Sequence, residues 1–228
     1  MAVDLIVPLK EPSMGKSRLR GGPGCPESDH RHADLVLALA FDTLRAATAT
    51  PGVRRVLVVT SAPVALAALR ELGVDVVNEN GEHGENGGTA QHGGGADIGL
   101  NAALRTGERV LRAEDPQCVV GALQADLPAL RPDELATALA EAEGRRAFIA
   151  DRHGSGTTLL LSAPGQRLDP RFGPGSARAH TLSGALPLTA PLPSLRTDVD
   201  TPGDLDHARL LGLGQCTRTV LDWTCLPS

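Results

Sequence analysis

The chain has 228 residues, 41% of them hydrophobic and 21% charged, with three Phe, one Trp and no Tyr. A single α/β domain of this length buries about 70% of its unfolded surface, so a core needs no disulfide or structural metal. A net charge of -5 and 2% aromatic residues argue against a basic nucleic-acid face and against a base-stacking platform.

In chain order, Asp4 to Pro8 is an apolar run closed by proline and predicts a first strand, not a targeting segment. The longest unbroken apolar run, Leu35 to Phe41, is far below the roughly 18 residues of a membrane span. Residues 10–30 read as a loop carrying Lys10, Lys16, Arg18 and Arg20. Ala33 to Ala49 has helical spacing and stops at Pro51-Gly52; Val53 to Thr60 predicts a strand. A helix over Pro63 to Leu72 and a strand over Val74 to Val77 follow. Residues 79–96 hold seven glycines and almost no apolar side chains, which predicts a mobile loop.

The alternation then resumes. Helices are expected over Ile98–Leu111, Asp133–Glu143 and Gly203–Leu213, and strands over Gln117–Leu123, Arg146–Ala150 and Thr157–Ser162. Strands alternating with helices imply a three-layer α/β fold with a mostly parallel central sheet. One domain over residues 1–213 is expected, with a tail over 214–228. Four separated cysteines without CxxC fit a cytoplasmic protein with reduced thiols.

Four segments carry chemistry. Leu9 and Lys10 open a loop with Lys16 and Arg18, three cations straight after the first strand. The Gly-Lys-Ser within it is not a P-loop, because position 10 is Lys where that motif needs Gly. Cations at a strand's carboxyl end suit phosphate. Lys occurs only at positions 10 and 16, against twenty Arg, so lysine is specifically used there. Gln124-Ala125-Asp126-Leu127-Pro128 ends an apolar strand in one carboxylate, able to hold Mg2+ or simply to cap a turn. Asp198 and Asp200 share a face on extended chain, and a divalent ion would relieve their repulsion. Alternatively Thr201 or Asp200 caps the last helix, within which Asp204 and Asp206 read as surface residues. Gly156-Thr157-Thr158 and Phe172-Gly173-Pro174-Gly175-Ser176 offer hydroxyls and amides suited to an anion, or are plain turns. None of the seven histidines has metal-ligand spacing; His180, four residues after Ser176, is the one that invites inspection.

Taken in order, IVPLK, GKSRL, GLNAAL at Gly99–Leu104, QADLP, GTTLL, FGPGS and DVDTPGDL resemble the CofC/FbiD guanylyltransferases of coenzyme F-420 biosynthesis. The resemblance runs over roughly residues 3–212 and leaves out the tail from Gly214. It implies a Rossmann-like nucleotidyltransferase fold and transfer of GMP from GTP to phosphoenolpyruvate or 2-phospho-L-lactate. The Ala-, Arg- and Gly-rich, Lys-poor composition suggests a high-GC actinobacterium, and for actinobacterial members the resemblance implies phosphoenolpyruvate. The resemblance further implies that Thr158, Gly173 and Ser176 bind the acceptor and that Asp126 and Asp198, with Asp200, bind Mg2+. Leu9, Lys10, Lys16 and Arg18 would bind the triphosphate and Asn101 the guanine or ribose. Lys16, Arg18 and Asp126 are the catalytic candidates. Neither nucleic acid nor membrane is an expected partner, and a homodimer is compatible with the sequence. Competing readings are a molybdenum-cofactor or sugar-phosphate nucleotidyltransferase and a noncatalytic GTP-binding regulator.

Overall fold

A computed structural model describes residues 2–10, 16–19, 28–61, 69, 71–78 and 99–224. The 79–96 loop and most of the expected 63–72 helix lie outside the described residues. Among the described residues, seven strands form one sheet in the order β3-β2-β1-β4-β6-β5-β7. They are β1 (Val3–Leu9), β2 (Val53–Thr60), β3 (Asp75–Val77), β4 (Val119–Leu123), β5 (Ala147–Ala150), β6 (Thr157–Leu161) and β7 (Leu186–Pro187). Every residue of β1 and β4 is buried, as expected for strands covered on both faces. Asp4 is the exception in chemistry, and it is paired with Arg54, whose Nε donates at 2.8 Å.

β1, β2, β3 and β4 run parallel, whereas β6 is antiparallel to both β4 and β5. The reason is short connection: residues 151–156 separate β5 from β6, too few for a parallel crossover. The sheet remains mostly parallel.

One face is covered by α1 (Asp29–Thr48), α3 (Pro132–Ala142) and α5 (Pro193–Arg196), through Ala40, Leu44, Leu135, Ala138 and Leu195. The other carries α2 (Leu100–Glu114) and α4 (Ser176–Leu182), through Leu104, Leu111 and Ala177. α1 begins four residues before the apolar pattern does, because Ser28 caps it by accepting the Arg31 N–H at 3.4 Å.

α6 (Pro202–Leu211) starts with a reciprocal cap between Thr201 and Asp204. The tail forms α7 (Gln215–Thr224). Leu221 joins Leu35, Leu39, Leu205 and Ala208 in a third apolar cluster. Asp42 of α1 accepts the N–H groups of Cys216 and Thr217 at 3.0 and 2.8 Å, capping α7. The approach leaves no room at Gly214, where a Cβ would lie 2.2 Å from the Asp42 carboxyl carbon.

A candidate active site at the carboxyl ends of β1 and β4

The strand order changes direction between β1 and β4, and in open α/β sheets the ligand crevice lies outside the carboxyl ends at such a point. A cleft of about 760 Å³ opens there. Leu9, Lys10, Lys16 and Arg18 line one part, Asp126, Asp198 and Asp200 the floor, and Gly156, Thr157, Gly173 and Ser176 the far wall. All four sequence segments therefore converge on one site.

The acidic floor is assembled by backbone. The Val199 N–H donates to the Asp126 carbonyl at 3.0 Å, joining the segment after β4 to the segment before α6. Thr43, fully buried on α1, bonds the carbonyls of Leu39 and Ala125 and accepts the Leu127 N–H at 2.9 Å. Lys16 stands between two carboxylates. Its ammonium is hydrogen-bonded to Asp126 Oδ2 and lies 2.5 Å from Asp200 Oδ1. Burial alone would lower its pKa, but Asp126 and Asp200 outweigh burial and hold it above the usual lysine value. Lys16 also adopts φ 53, a left-handed conformation costing a non-glycine residue on the order of 1 kcal/mol.

Asp198 makes no ion pair among the described residues. Burial, with Asp126 and Asp200 close by, pushes its carboxyl up to about 7, though Lys16 is near enough to oppose the shift. Asp126 Oδ1 is buried and has no hydrogen-bond partner among the described residues. An orphaned carboxylate oxygen beside a carboxyl that resists ionisation fits a hard divalent cation. Among the described residues no three acidic or histidine side chains form a ready-made ligand shell. An ion here would complete its shell with substrate oxygens and water, as Mg2+ commonly does.

Asp204 is not the surface residue its sequence position suggests. It is 7% exposed. Its Oδ2 accepts the N–H groups of Asp200 and Thr201 at 3.2 and 2.8 Å, and its Oδ1 lies 2.5 Å from Arg152 Nη2. It therefore fixes the backbone that carries Asp198 and Asp200.

On the far wall, Asp151 accepts the Ser155 and Gly156 N–H groups at 2.9 and 2.8 Å. Gly156 is required there, since a Cβ would lie 2.6 Å from Asp151 Oδ2. The β5–β6 register pairs Ile149 with Leu159 and Ala150 with Thr157, skipping Thr158. This bulge lets Thr157 reach Ser176 Oγ at 3.2 Å and His180 Nδ1 at 2.9 Å. Thr158, expected to bind the acceptor, is fully buried and not among the residues lining the cleft, and its hydroxyl has no partner among the described residues. Gly173 and Gly175 adopt φ 138 and 72, which glycine alone accepts easily.

Asn101 is not among the residues lining the cleft. Its amide pairs with the Phe172 backbone, donating to the carbonyl and accepting the N–H, both at 2.9 Å. It braces the turn that carries Gly173 and Ser176. Thr43, His180 and Asp204 are contributors that sequence alone did not single out as site residues, and Thr157 stood only within the Gly156-Thr157-Thr158 segment, whose acceptor role went to Thr158. Only the proximity of His180 to Ser176 and of Asp204 to the acidic pair hinted at them.

No family model matches the chain. Curated relatives do. A protein of Streptomyces scabiei named phosphoenolpyruvate guanylyltransferase is 48% identical over 98% of this chain and 97% of its own. One of that name from Geodermatophilus obscurus is 43% identical over 100% of this chain and 97% of its own. The similarity thus includes the tail from Gly214 onward. A putative nucleotide-diphospho-sugar transferase from Desulfovibrio desulfuricans shares the fold, with a TM-score of 0.67 at 15% identity over 98% of this chain and 96% of its own. A 4-diphosphocytidyl-2C-methyl-D-erythritol synthase does so at 0.54 and 14% identity over 92% of this chain and 97% of its own. With near-complete coverage at these identities, the chain belongs to the phosphoenolpyruvate guanylyltransferase family of nucleotidyltransferases.

Proposed function

We propose that the chain transfers GMP from GTP to phosphoenolpyruvate, giving enolpyruvyl-diphospho-guanosine and pyrophosphate, as a step toward coenzyme F-420. The observation that carries this reading is the cleft itself. It sets three cations and the carboxylates of Asp126, Asp198 and Asp200 at one end of the sheet, opposite a wall of hydroxyls and left-handed glycines.

A phosphate oxygen of phosphoenolpyruvate attacks the α-phosphorus of GTP in line, and the bond to the β-phosphate oxygen breaks. That nucleophile is already ionised near neutral pH, so no strong general base is needed. His180, packed behind the far wall, is fully buried and burial lowers its pKa to about 4, in keeping with this. The difficulty is bringing two polyanions together. Lys10, Lys16 and Arg18 neutralise the triphosphate, and Lys16 follows the charge that develops on the leaving pyrophosphate. Asp126 and Asp198, with Asp200 beside them, would hold a Mg2+ ion, which supplies Lewis-acid charge neutralisation at the phosphates. Gly173, Ser176 and Thr157 form the acceptor end; the Thr158 side chain is buried off the cleft. Asn101 serves that end through Phe172.

Guanine recognition here rests on hydrogen bonds and aliphatic walls, since Phe172 is the aromatic that lines the cleft. The test is a panel of four nucleoside triphosphates against phosphoenolpyruvate and 2-phospho-L-lactate, read by pyrophosphate release. GTP with phosphoenolpyruvate is expected to lead by at least tenfold. Release with another nucleotide alone would overturn the assignment.

A further inference from the structure

His180 is fully buried on α4 and serves no step of the transfer just described. Its ring packs against Phe148 and Phe172, with centroids 5.8 and 5.1 Å away, the latter edge to face. The ring position is thus fixed, and so are its two hydrogen bonds. The backbone N–H of Arg171 donates to Nε2 at 3.0 Å. An Nε2 that accepts cannot carry a proton in the neutral ring, so the proton sits on Nδ1. That N–H then donates to Thr157 Oγ1 at 2.9 Å.

The hydroxyl hydrogens can now be counted. Thr157 Oγ1 and Ser176 Oγ are 3.2 Å apart, and one hydrogen occupies the contact between them. The pair owns two, and neither is needed by His180. One hydroxyl hydrogen is therefore left over, on whichever of the two does not donate to the other. Both residues line the cleft. With the opposite tautomer Thr157 would have to donate to Nδ1 and Ser176 to Thr157. No hydrogen would remain, and the pair would turn lone pairs toward the cleft. The tautomer of one buried histidine decides whether this wall attracts or repels an anion.

We propose that His180 is a positioning residue which, held by the Arg171 N–H, polarises the Thr157–Ser176 hydroxyl pair to donate one hydrogen bond to an anionic oxygen of the acceptor. Thr157 is accordingly the acceptor-side hydroxyl that works with Ser176. This rests on the reading that the far wall takes phosphoenolpyruvate. A donor aimed at a charged oxygen and lost by substitution weakens binding by roughly tenfold to a hundredfold.

Two measurements test it. The first is the histidine ring 15N spectrum of the wild-type chain, which reports the tautomer directly and does not depend on the reaction. An Nδ1–H ring at His180 is expected; an Nε2–H ring overturns the proposal. The second is the split of KM values in His180→Leu and Thr157→Val, after each is shown to fold by circular dichroism. Ser176 keeps a hydrogen in both variants but loses the Nδ1–H-anchored chain of bonds that aims and polarises it, so both should raise the KM for phosphoenolpyruvate roughly tenfold and leave that for GTP within twofold. Their combination should cost little more than either alone, because they break one chain of bonds. Thr157→Val keeps the packing and so stands in should His180→Leu fail to fold. An unchanged KM for phosphoenolpyruvate in folded Thr157→Val overturns the proposal. A wild-type chain that turns over no phosphoenolpyruvate overturns the functional reading instead, and the tautomer then decides the relay on its own.

Discussion

The Val199 N–H donates to the Asp126 carbonyl at 3.0 Å, across 73 positions of sequence. That single bond brings the end of a central strand against the entry to the last helices of the domain. It is why Asp126, Asp198 and Asp200 meet Lys16 in one place.

Asp126 carries the strongest consequence. Its Oδ2 holds Lys16 and its Oδ1 has no partner among the described residues. Asp126→Asn keeps the volume and removes the charge, so turnover should fall more than a hundredfold while the thermal midpoint moves little. Pyrophosphate release and a melting curve check both. Retention of near wild-type activity would remove Asp126 from the metal role.

Lys16 should act on nucleotide. Lys16→Ala is expected to raise the KM for GTP at least tenfold, as loss of a charge-assisted contact to phosphate would. It should leave the KM for phosphoenolpyruvate near its starting value. Initial rates with each substrate varied separate the two.

Asp204 should prove structural and indirect. Asp204→Ala breaks the reciprocal cap of α6 and the pair with Arg152 at once. Loss of a cap costs about 1 kcal/mol and breaking a largely buried pair more, so urea unfolding should show a loss of about 2–4 kcal/mol. Activity should fall as well, because the Asp200 and Thr201 N–H groups lose their acceptor.

Stability should fall on the acid side through His180. Burial, with Arg146 and Arg171 nearby, lowers its pKa from 6.5 to about 4. The unfolded chain therefore binds a proton that the folded chain refuses between those values. The contribution is full above about 6.5 and is lost as pH falls through 4. The interval corresponds to roughly 3 kcal/mol. The difference in unfolding free energy between wild type and His180→Leu should shrink by that order from pH 7 to pH 4.

Much of this was legible from residues alone, and the rest was hidden for identifiable reasons. β2 was readable to the residue, because Val53 to Thr60 is apolar and bounded by Pro51-Gly52 and Ala62-Pro63. Asp126 stood out as a carboxylate closing an apolar strand, Lys16 as one of only two lysines in an Arg-rich chain, and Asp198 by its spacing from Asp200. Asp204 was misread as surface, since what buries it is Arg152, far away in sequence and invisible to helical periodicity. His180 drew notice only for its distance from Ser176, because its meaning depends on a bulge at Thr158 and on the Arg171 backbone. The tail looked unattached because its anchor, Asp42, lies in the middle of α1.

The account stands or falls on the product. Mass spectrometry of a reaction holding GTP, phosphoenolpyruvate and Mg2+ should show enolpyruvyl-diphospho-guanosine and pyrophosphate in equal amounts, with neither formed by Asp126→Asn. Absence of that adduct from wild type, with another nucleotide or acceptor consumed in its place, would contradict it.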